Sequence, residues 1–162
     1  MQQQGHTEIL KLLLNDKRVD INKANEHGRT PLFQIVCKRE QFEIVKLLLN
    51  DGRVIDVNKA DNYYLTPFYL ACSSGYFEIV EYILAQRKEV NSRAKDSQGR
   101  TALDVARENG KSMLEYWYIE TWSLEEKKEN EKIIELLESF ENNPNETRTT
   151  LRMKLGLTSI FF

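Results

Sequence analysis

A seven-residue segment recurs along this chain at a fixed distance, and this repetition limits the possible folds more than any other feature. The segment EILKLLL at 8–14 returns as EIVKLLL at 43–49 and as EIVEYIL at 78–84, each time after 35 residues. A weaker copy, KIIELLE, lies at 132–138. Periods of about 20–50 residues are typical of arrays whose units bury their apolar faces against neighbouring units. The sequence therefore predicts a stacked array.

A threonine motif recurs in phase with this segment and reads TPLF at 30–33, TPFY at 66–69 and TALD at 101–104. A threonine oxygen caps a helix N-terminus, and a proline in the first turn needs no N–H partner, so a helix is predicted to begin at each motif. The apolar residues at i, i+3 and i+4 of the EIVKLLL segments predict a second, amphipathic helix. Turns into the next unit are indicated by VDIN at 19–22, IDVN at 55–58 and KEVN at 88–91.

Together these motifs resemble the ankyrin repeat family, whose unit of about 33 residues is a β-turn followed by two antiparallel helices. The resemblance covers residues 5 to about 111 and implies an all-α solenoid that binds other proteins through its hairpin tips and concave face. The family's signature histidine is replaced here by Phe33, Tyr69 and Asp104. Tyr64 occupies the turn position of Gly28 and Gly99, and a positive φ at that position would strain a tyrosine.

We divide the chain by these motifs into a repeat array over residues 1–141 and a C-terminal capping helix with an apolar tail over 142–162. The array comprises a half repeat at 5–24, repeats at 25–60 and 61–94, and a last repeat at 95–141 with an insertion near 112–130.

Two helices are predicted towards the C-terminus. Ser123 and Glu126 form a predicted capping box ahead of an acidic helix over 124–141. A basic helix follows Pro144 and ends near Gly156. Because of their opposite charges, we expect the basic helix to lie on the acidic one.

The first unit lacks most of its first helix, because only residues 1–4 precede Gly5. One side of Ile9, Leu12 and Leu13 is therefore expected to be uncovered. Terminal repeats usually have a polar outer face. Either the sequence is a segment of a longer ankyrin scaffold, or this edge docks on another molecule.

Composition excludes several classes of function. Hydrophobic residues make up 41% and charged residues 30% of the 162 residues, which is typical of a folded globular chain. The 23 Lys and Arg against 25 Asp and Glu give no basic excess for nucleic acid or an anionic membrane. The apolar runs fall far short of the roughly 20 residues of a membrane span, and MQQQGHTE lacks the features of a secretory signal. We expect a cytoplasmic protein, with the nucleus as the alternative.

The inventory of chemically active residues is thin. Two histidines, His6 and His27, are expected in structural or surface positions, and Cys37 and Cys72 as buried thiols at equivalent sites of neighbouring units. The sequence contains no phosphate-binding loop motif, no Cys and His spacing typical of a zinc site, and no calcium-binding loop motif. We predict a protein that is not an enzyme and uses no cofactor or metal.

The resemblance implies which residues contact a protein or peptide partner. The chain that binds it is expected to be a monomer or part of a longer array. The candidate contact residues at hairpin tips are Glu26, His27, Arg29, Asn62, Tyr63, Tyr64, Leu65, Ser97, Gln98 and Arg100. Those at the ends of first helices are Lys38, Arg39, Ser73 and Ser74, with Glu108 and Asn109 at the matching positions of the next unit. Tyrosine and arginine are enriched at interface hot spots, so Tyr63, Tyr64, Arg29 and Arg100 are favoured.

Two alternatives remain for the function. The C-terminal helices of an adaptor subunit would bind a second partner. Alternatively, hydroxylases would modify Asn22, Asn58 and Asn91, as in some ankyrin arrays, although asparagine as a turn former is the preferred interpretation.

Overall fold

The computed structural model describes residues 2–36, 41–51, 53, 55–86, 89–111 and 123–157. These residues form eight helices and no strand. The helices are α1 (Gln2–Asn15), α2 (Pro31–Val36), α3 (Phe42–Leu49), α4 (Pro67–Ser73), α5 (Phe77–Ala85), α6 (Ala102–Lys111), α7 (Leu124–Asn142) and α8 (Pro144–Lys154). The expected all-α class is confirmed. Cys37, Lys38, Arg39, residues 112–122 of the expected insertion and the apolar tail from residue 158 lie outside the described residues.

The three threonine motifs begin helices in the predicted way. Each threonine oxygen accepts a hydrogen bond from the backbone N–H three residues later, which satisfies one of the unpaired donors of the first turn. The N···O distances are 3.3 Å at Thr30, 3.0 Å at Thr66 and 3.2 Å at Thr101. At Thr101, the Asp104 carboxylate also accepts from the Thr101 N–H at 2.9 Å. The motifs therefore set the starts of α2, α4 and α6.

The helices stack in two layers. The first helices of the units, α2, α4 and α6, contact one another in chain order, as do the second helices α1, α3 and α5. Within each unit, α2 contacts α3 and α4 contacts α5. Buried apolar residues from each of these helices belong to one continuous core. This arrangement is the predicted solenoid of helix pairs.

Helix α7 packs against α6 and α5, and its buried Ile133 and Leu137 belong to the weak KIIELLE copy. On this packing we propose that α7 is the second helix of the last repeat. The helix begins with the predicted capping box, in which the Ser123 N–H donates to Glu126 Oε2 at 2.7 Å and the Glu126 N–H to Ser123 Oγ at 3.2 Å.

The basic helix α8 closes the C-terminal end and contacts both α5 and α7. As expected, the basic helix lies on the acidic one, and the Arg148 guanidinium lies 5.6 Å from the centre of the Phe140 ring of α7. Lys154 forms an ion pair with Glu81 of α5, and Arg152 Nη1 donates to the Ala85 carbonyl at the end of α5 at 3.0 Å. Arg152 and Lys154 thus also hold α8 against α5, which the sequence did not predict.

Candidate protein-binding surface

Three hairpin turns precede α2, α4 and α6 and share one geometry. We call them the first hairpin (25–29), the second hairpin (61–65) and the third hairpin (96–100). In each, the side-chain oxygen of the first residue accepts from the N–H groups two and four residues later, which is an Asx-turn. The first residues are Asn25, Asp61 and Asp96, with N···O distances of 2.9–3.1 Å. These side chains hold the hairpins in shape.

The first two hairpins are joined side by side through Asn62. Its N–H donates to the His27 carbonyl at 3.0 Å and its Nδ2 to the Glu26 carbonyl at 3.1 Å. Gly28 has φ 75°, and a Cβ there would lie 2.7 Å from Asn62 Oδ1. The predicted contact residues Glu26, His27 and Asn62 are therefore brought together at one surface.

Tyr63 and Tyr64 stand next to each other at the tip of the second hairpin. The two residues are 59% and 65% exposed. Tyr64 has φ 65°, close to the values of Gly28 and Gly99, as predicted from its turn position. A left-handed conformation costs a non-glycine residue roughly 1–2 kcal/mol. Tyrosine is enriched at interface hot spots, and strained residues such as Tyr64 cluster at functional sites.

Arg29 lies between the first hairpin and the second. Its Nε donates to Asp61 Oδ2 at 3.2 Å, and its guanidinium lies 5.3 Å from the centre of the Phe33 ring. The Asp61 side chain is completely buried. Arg29 was predicted to be an exposed contact residue, and the structure shows it half-buried and paired with a buried carboxylate of the next unit.

Arg100 is used in a similar way in the third hairpin. Its Nε donates to Asp96 Oδ2 at 3.0 Å and its Nη1 to Glu108 Oε2 at 2.9 Å. Asp96 Oδ2 also accepts from the Tyr69 hydroxyl at 2.6 Å. Burial alone would raise the pKa of Asp96, but the hydrogen bonds from Tyr69, Arg100 and the Gln98 N–H hold it well below its ordinary value. These bonds give Arg100 a structural role in the third hairpin.

The comparison with protein families gives the context of this geometry. The family model for ankyrin repeats (3 copies) matches residues 1–94 and 57–118, which together cover 118 of the 162 residues. The chain belongs to the ankyrin repeat family. A search of curated proteins found no match. Ankyrin repeats are generally protein–protein interaction modules and are typically not enzymes.

The remaining contact candidates of this ankyrin array differ in how exposed they are. Ser97 and Gln98 are exposed at the tip of the third hairpin. Leu65 was expected to be exposed but is half-buried against the core. The half-buried Ser73 and Ser74 end α4, and the Ser73 carbonyl accepts from Asn109 Nδ2 at 2.8 Å. Asn109 thereby ties two first helices together at their ends.

The asparagines that recur in the ankyrin turns also connect neighbouring units. Asn22 Oδ1 accepts from the Asp56 N–H at 3.1 Å, and Asn58 Oδ1 from the Asn91 N–H at 2.8 Å. Asn58 Nδ2 donates to the Glu89 carbonyl at 2.8 Å. These bonds give Asn22 and Asn58 a structural role.

The chemically active side chains of the ankyrin array do not converge in the parts described. Cys72 is a buried free thiol, and burial raises its pKa. No group of three or more His, Cys, Asp or Glu side chains among the described residues is placed to hold a metal ion. No described helix is long and apolar enough to cross a bilayer.

The sequence did not lead us to predict the Asx-turn residues or the Tyr69–Asp96 hydrogen bond. A signal was present, since Asn25, Asp61 and Asp96 recur in phase with the threonine motifs. A short polar acceptor at the same place in every turn indicates a side chain that bonds the backbone.

Proposed function

We propose that the protein is a non-enzymatic binding module that holds a protein or peptide partner on its hairpin tips and concave face. The observation that carries the proposal is the exposed pair of Tyr63 and Tyr64 on the second hairpin. Tyrosine supplies a large contact area with few rotatable bonds, so it is a frequent interface anchor.

The pair stands on a preorganised support. Asp61 holds the backbone of the second hairpin, Asn62 ties it to the first hairpin, and Arg29 pairs with Asp61 from the neighbouring unit. A rigid loop loses little conformational entropy when a partner binds. The proposal therefore assigns contact to the tyrosines and support to Arg29 and Arg100.

The proposed surface extends to the neighbouring tips. Glu26 and His27 of the first hairpin adjoin Asn62, and Ser97 and Gln98 are exposed on the third. Ser73 and Ser74 remain in the proposal because they end α4. Lys38 and Arg39 lie outside the described residues and remain in the proposal by their equivalent sequence positions. The partner is a polypeptide rather than a polyanion because acidic residues outnumber basic residues. We place the binding in the cytoplasm or nucleus, where a thiol such as Cys72 stays reduced.

The test is affinity capture from cell lysate with three immobilised proteins, quantified by mass spectrometry. These are the wild type, a Tyr63→Ser/Tyr64→Gly variant, and a Leu124→Ser control that removes an exposed apolar side chain from α7. Glycine at 64 keeps the hairpin backbone in its observed conformation. We expect a partner that the wild type and the control capture and the tyrosine variant loses. Equal capture by all three folded proteins would refute the proposed surface.

A further inference from the structure

A cavity of about 610 Å³ lies where the turn at 89–92 meets the junction of α7 and α8. Asn58 and residues 89–92 line one side of it. The other side is lined by four residues of α7 and α8, which are Phe140, Pro144, Asn145 and Arg148. We call this space the junction cavity. Its lining includes no residue of the three hairpins, so the proposed function does not explain it.

Arg148 brings a positive charge to the junction cavity that no described carboxylate balances. Its side chain is half-buried, and its Nε is buried without a hydrogen-bond acceptor. Every other arginine in the described ranges pairs with a carboxylate or a carbonyl oxygen. A buried polar group without a partner costs free energy, and a charged one costs more. The guanidinium of Arg148 is therefore available to an anionic ligand.

The ring of Phe140 holds this guanidinium in place. The Arg148 guanidinium lies 5.6 Å from the centre of the ring, and Phe140 is buried in the core. A cation on the face of an aromatic ring is attracted to it electrostatically. A guanidinium held in this way loses little side-chain entropy when a ligand binds to its N–H groups.

Neutral donors from two elements also line the junction cavity. Asn58 uses both atoms of its side-chain amide within the array. The side-chain amide of Asn91 makes no hydrogen bond to any residue that the structure describes, so its two N–H groups are available. Asn145 is the second residue of α8, and the first N–H groups of a helix have no intrahelical acceptor. One cation and several neutral donors thus share this space.

The acidic groups around the junction cavity do not oppose an anion strongly. Glu89 is the acidic residue of the lining, and it is exposed. Water and salt screen an exposed carboxylate more than a half-buried guanidinium. Close by, Glu141 lies 3.7 Å from Arg93, and Glu146 accepts from Asn143 Nδ2 at 2.6 Å. These partners satisfy the two nearby carboxylates.

We propose that the junction cavity binds an oxyanion, which is the carboxylate or phosphate group of a ligand whose apolar part lies on Val90 and Pro144. Arg148 supplies the charge and a fork of N–H donors that matches two oxygens of either group. The amide groups of Asn91 and Asn145 bind the remaining lone pairs. The cavity also has the size of a small-molecule site, for which about 300–1,000 Å³ is typical.

The experiment titrates phenyl phosphate and phenylacetate, one at a time, onto the isotopically labelled full chain and follows its amide signals by NMR. We expect at least one probe to cause saturable shifts at residues 89–92 and 145–148. The probe that binds more tightly identifies the preferred oxyanion. The uncharged analogue 2-phenylethanol has the same ring and should cause no saturable shift.

Three variants test which groups bind the probe. Arg148→Met keeps an apolar stem over Phe140 but removes the guanidinium, and it should weaken binding at least about tenfold. Arg93→Met is the matched control, because it removes a neighbouring arginine that already pairs with Glu141, and it should bind like the wild type. Asn91→Asp places a negative charge at an exposed position of the lining and should also weaken binding, which keeps the test decisive if Arg148→Met does not fold.

Four results would overturn the proposal. The first is no saturable shift with either charged probe, and the second is shifts that map outside the junction cavity. The third is wild-type affinity in folded Arg148→Met or in Asn91→Asp. The fourth is an equal loss of affinity in Arg148→Met and Arg93→Met, since only net charge would then matter. A Tyr63→Ser/Tyr64→Gly chain should bind the probes normally, which separates this test from that of the proposed function.

Discussion

The Tyr69 hydroxyl of α4 donates a hydrogen bond to Asp96 at the start of the third hairpin, with an O···O distance of 2.6 Å. Tyr69 stands at the position of the family's signature histidine. Both residues are buried, so the bond joins one unit to the next where water does not compete. A hydrogen bond to a buried charged group stabilises a fold more than an exposed neutral one.

Replacing Tyr69 by phenylalanine should therefore destabilise the array. We expect Tyr69→Phe to lower the free energy of unfolding by about 1.5–3 kcal/mol, because a buried carboxylate loses a donor. The measurement is urea unfolding followed by circular dichroism. Tyr82→Phe is the matched control, since the Tyr82 hydroxyl donates to the neutral amide of the exposed Asn50 and should cost only about 0.5–1.5 kcal/mol. Equal losses in the two variants would contradict this account.

The loss of folding stability at low pH should depend on Asp96. Its pKa is lower in the folded protein than in the unfolded chain, so its contribution is present above the unfolded value of about 3.9 and is lost as pH falls through the folded value. The Asp96→Asn variant should be less stable than the wild type at pH 7. The difference should narrow as the pH decreases below about 4.

Asparagine is a suitable replacement because Asn25 makes the same Asx-turn in the first hairpin. Urea unfolding at several pH values measures the difference in stability. A gap between wild type and Asp96→Asn that stays constant from pH 7 down to the lowest pH at which both fold would show that the charge of Asp96 does not contribute.

The strained turn at Tyr64 predicts a stabilising substitution. Tyr64→Gly should raise the free energy of unfolding by about 0.5–1 kcal/mol, since relief of the positive φ exceeds the entropy that glycine adds to the unfolded chain. The reverse change, Gly99→Tyr, should be destabilising by a similar amount, because a Cβ at Gly99 has open space and only the backbone is strained. Thermal unfolding measures both effects.

Alanine substitutions at Gly28 and Gly99 distinguish backbone strain from steric crowding by a neighbouring side chain. Gly28→Ala should cost more than Gly99→Ala, because the added Cβ meets Asn62 Oδ1 at 2.7 Å as well as a φ of 75°. The clash would also weaken the link between the first and second hairpins. Identical melting temperatures for the two alanine variants would show that Asn62 moves away freely.

Substitution of Arg29 should affect mainly stability, whereas substitution of Tyr63 should affect mainly partner binding. Arg29→Ala leaves the buried Asp61 without its cation and should lower stability by about 1–2 kcal/mol, a value reduced by the partial exposure of Arg29. Tyr63→Ala should leave stability within about 0.5 kcal/mol of the wild type while weakening partner capture. A stability loss in Tyr63→Ala as large as that in Arg29→Ala would contradict these roles.

Features that depend on neighbouring sequence were predictable. The threonine caps at the starts of α2, α4 and α6, the Ser123–Glu126 capping box and the positive φ of Tyr64 each involve residues within a few positions of one another. Local hydrogen-bonding chemistry and backbone sterics are sufficient for them.

Roles that depend on distant partners were not predictable. Arg29 pairs with Asp61 in the next unit, and Lys154 pairs with Glu81 on α5. Their sequence positions alone indicate exposed cations, because a charged residue near a turn or a helix end is usually solvated. The burial of Leu65 likewise depends on the packing of the whole array.

The most direct test of the binding surface is photocrosslinking in cells with benzoylphenylalanine at position 63. The same amino acid at position 124, also an exposed apolar site, is the control. The account predicts a crosslinked protein of defined mass at 63 that is absent at 124. Crosslinking only from position 124, with none from 63 in a folded protein, would contradict it.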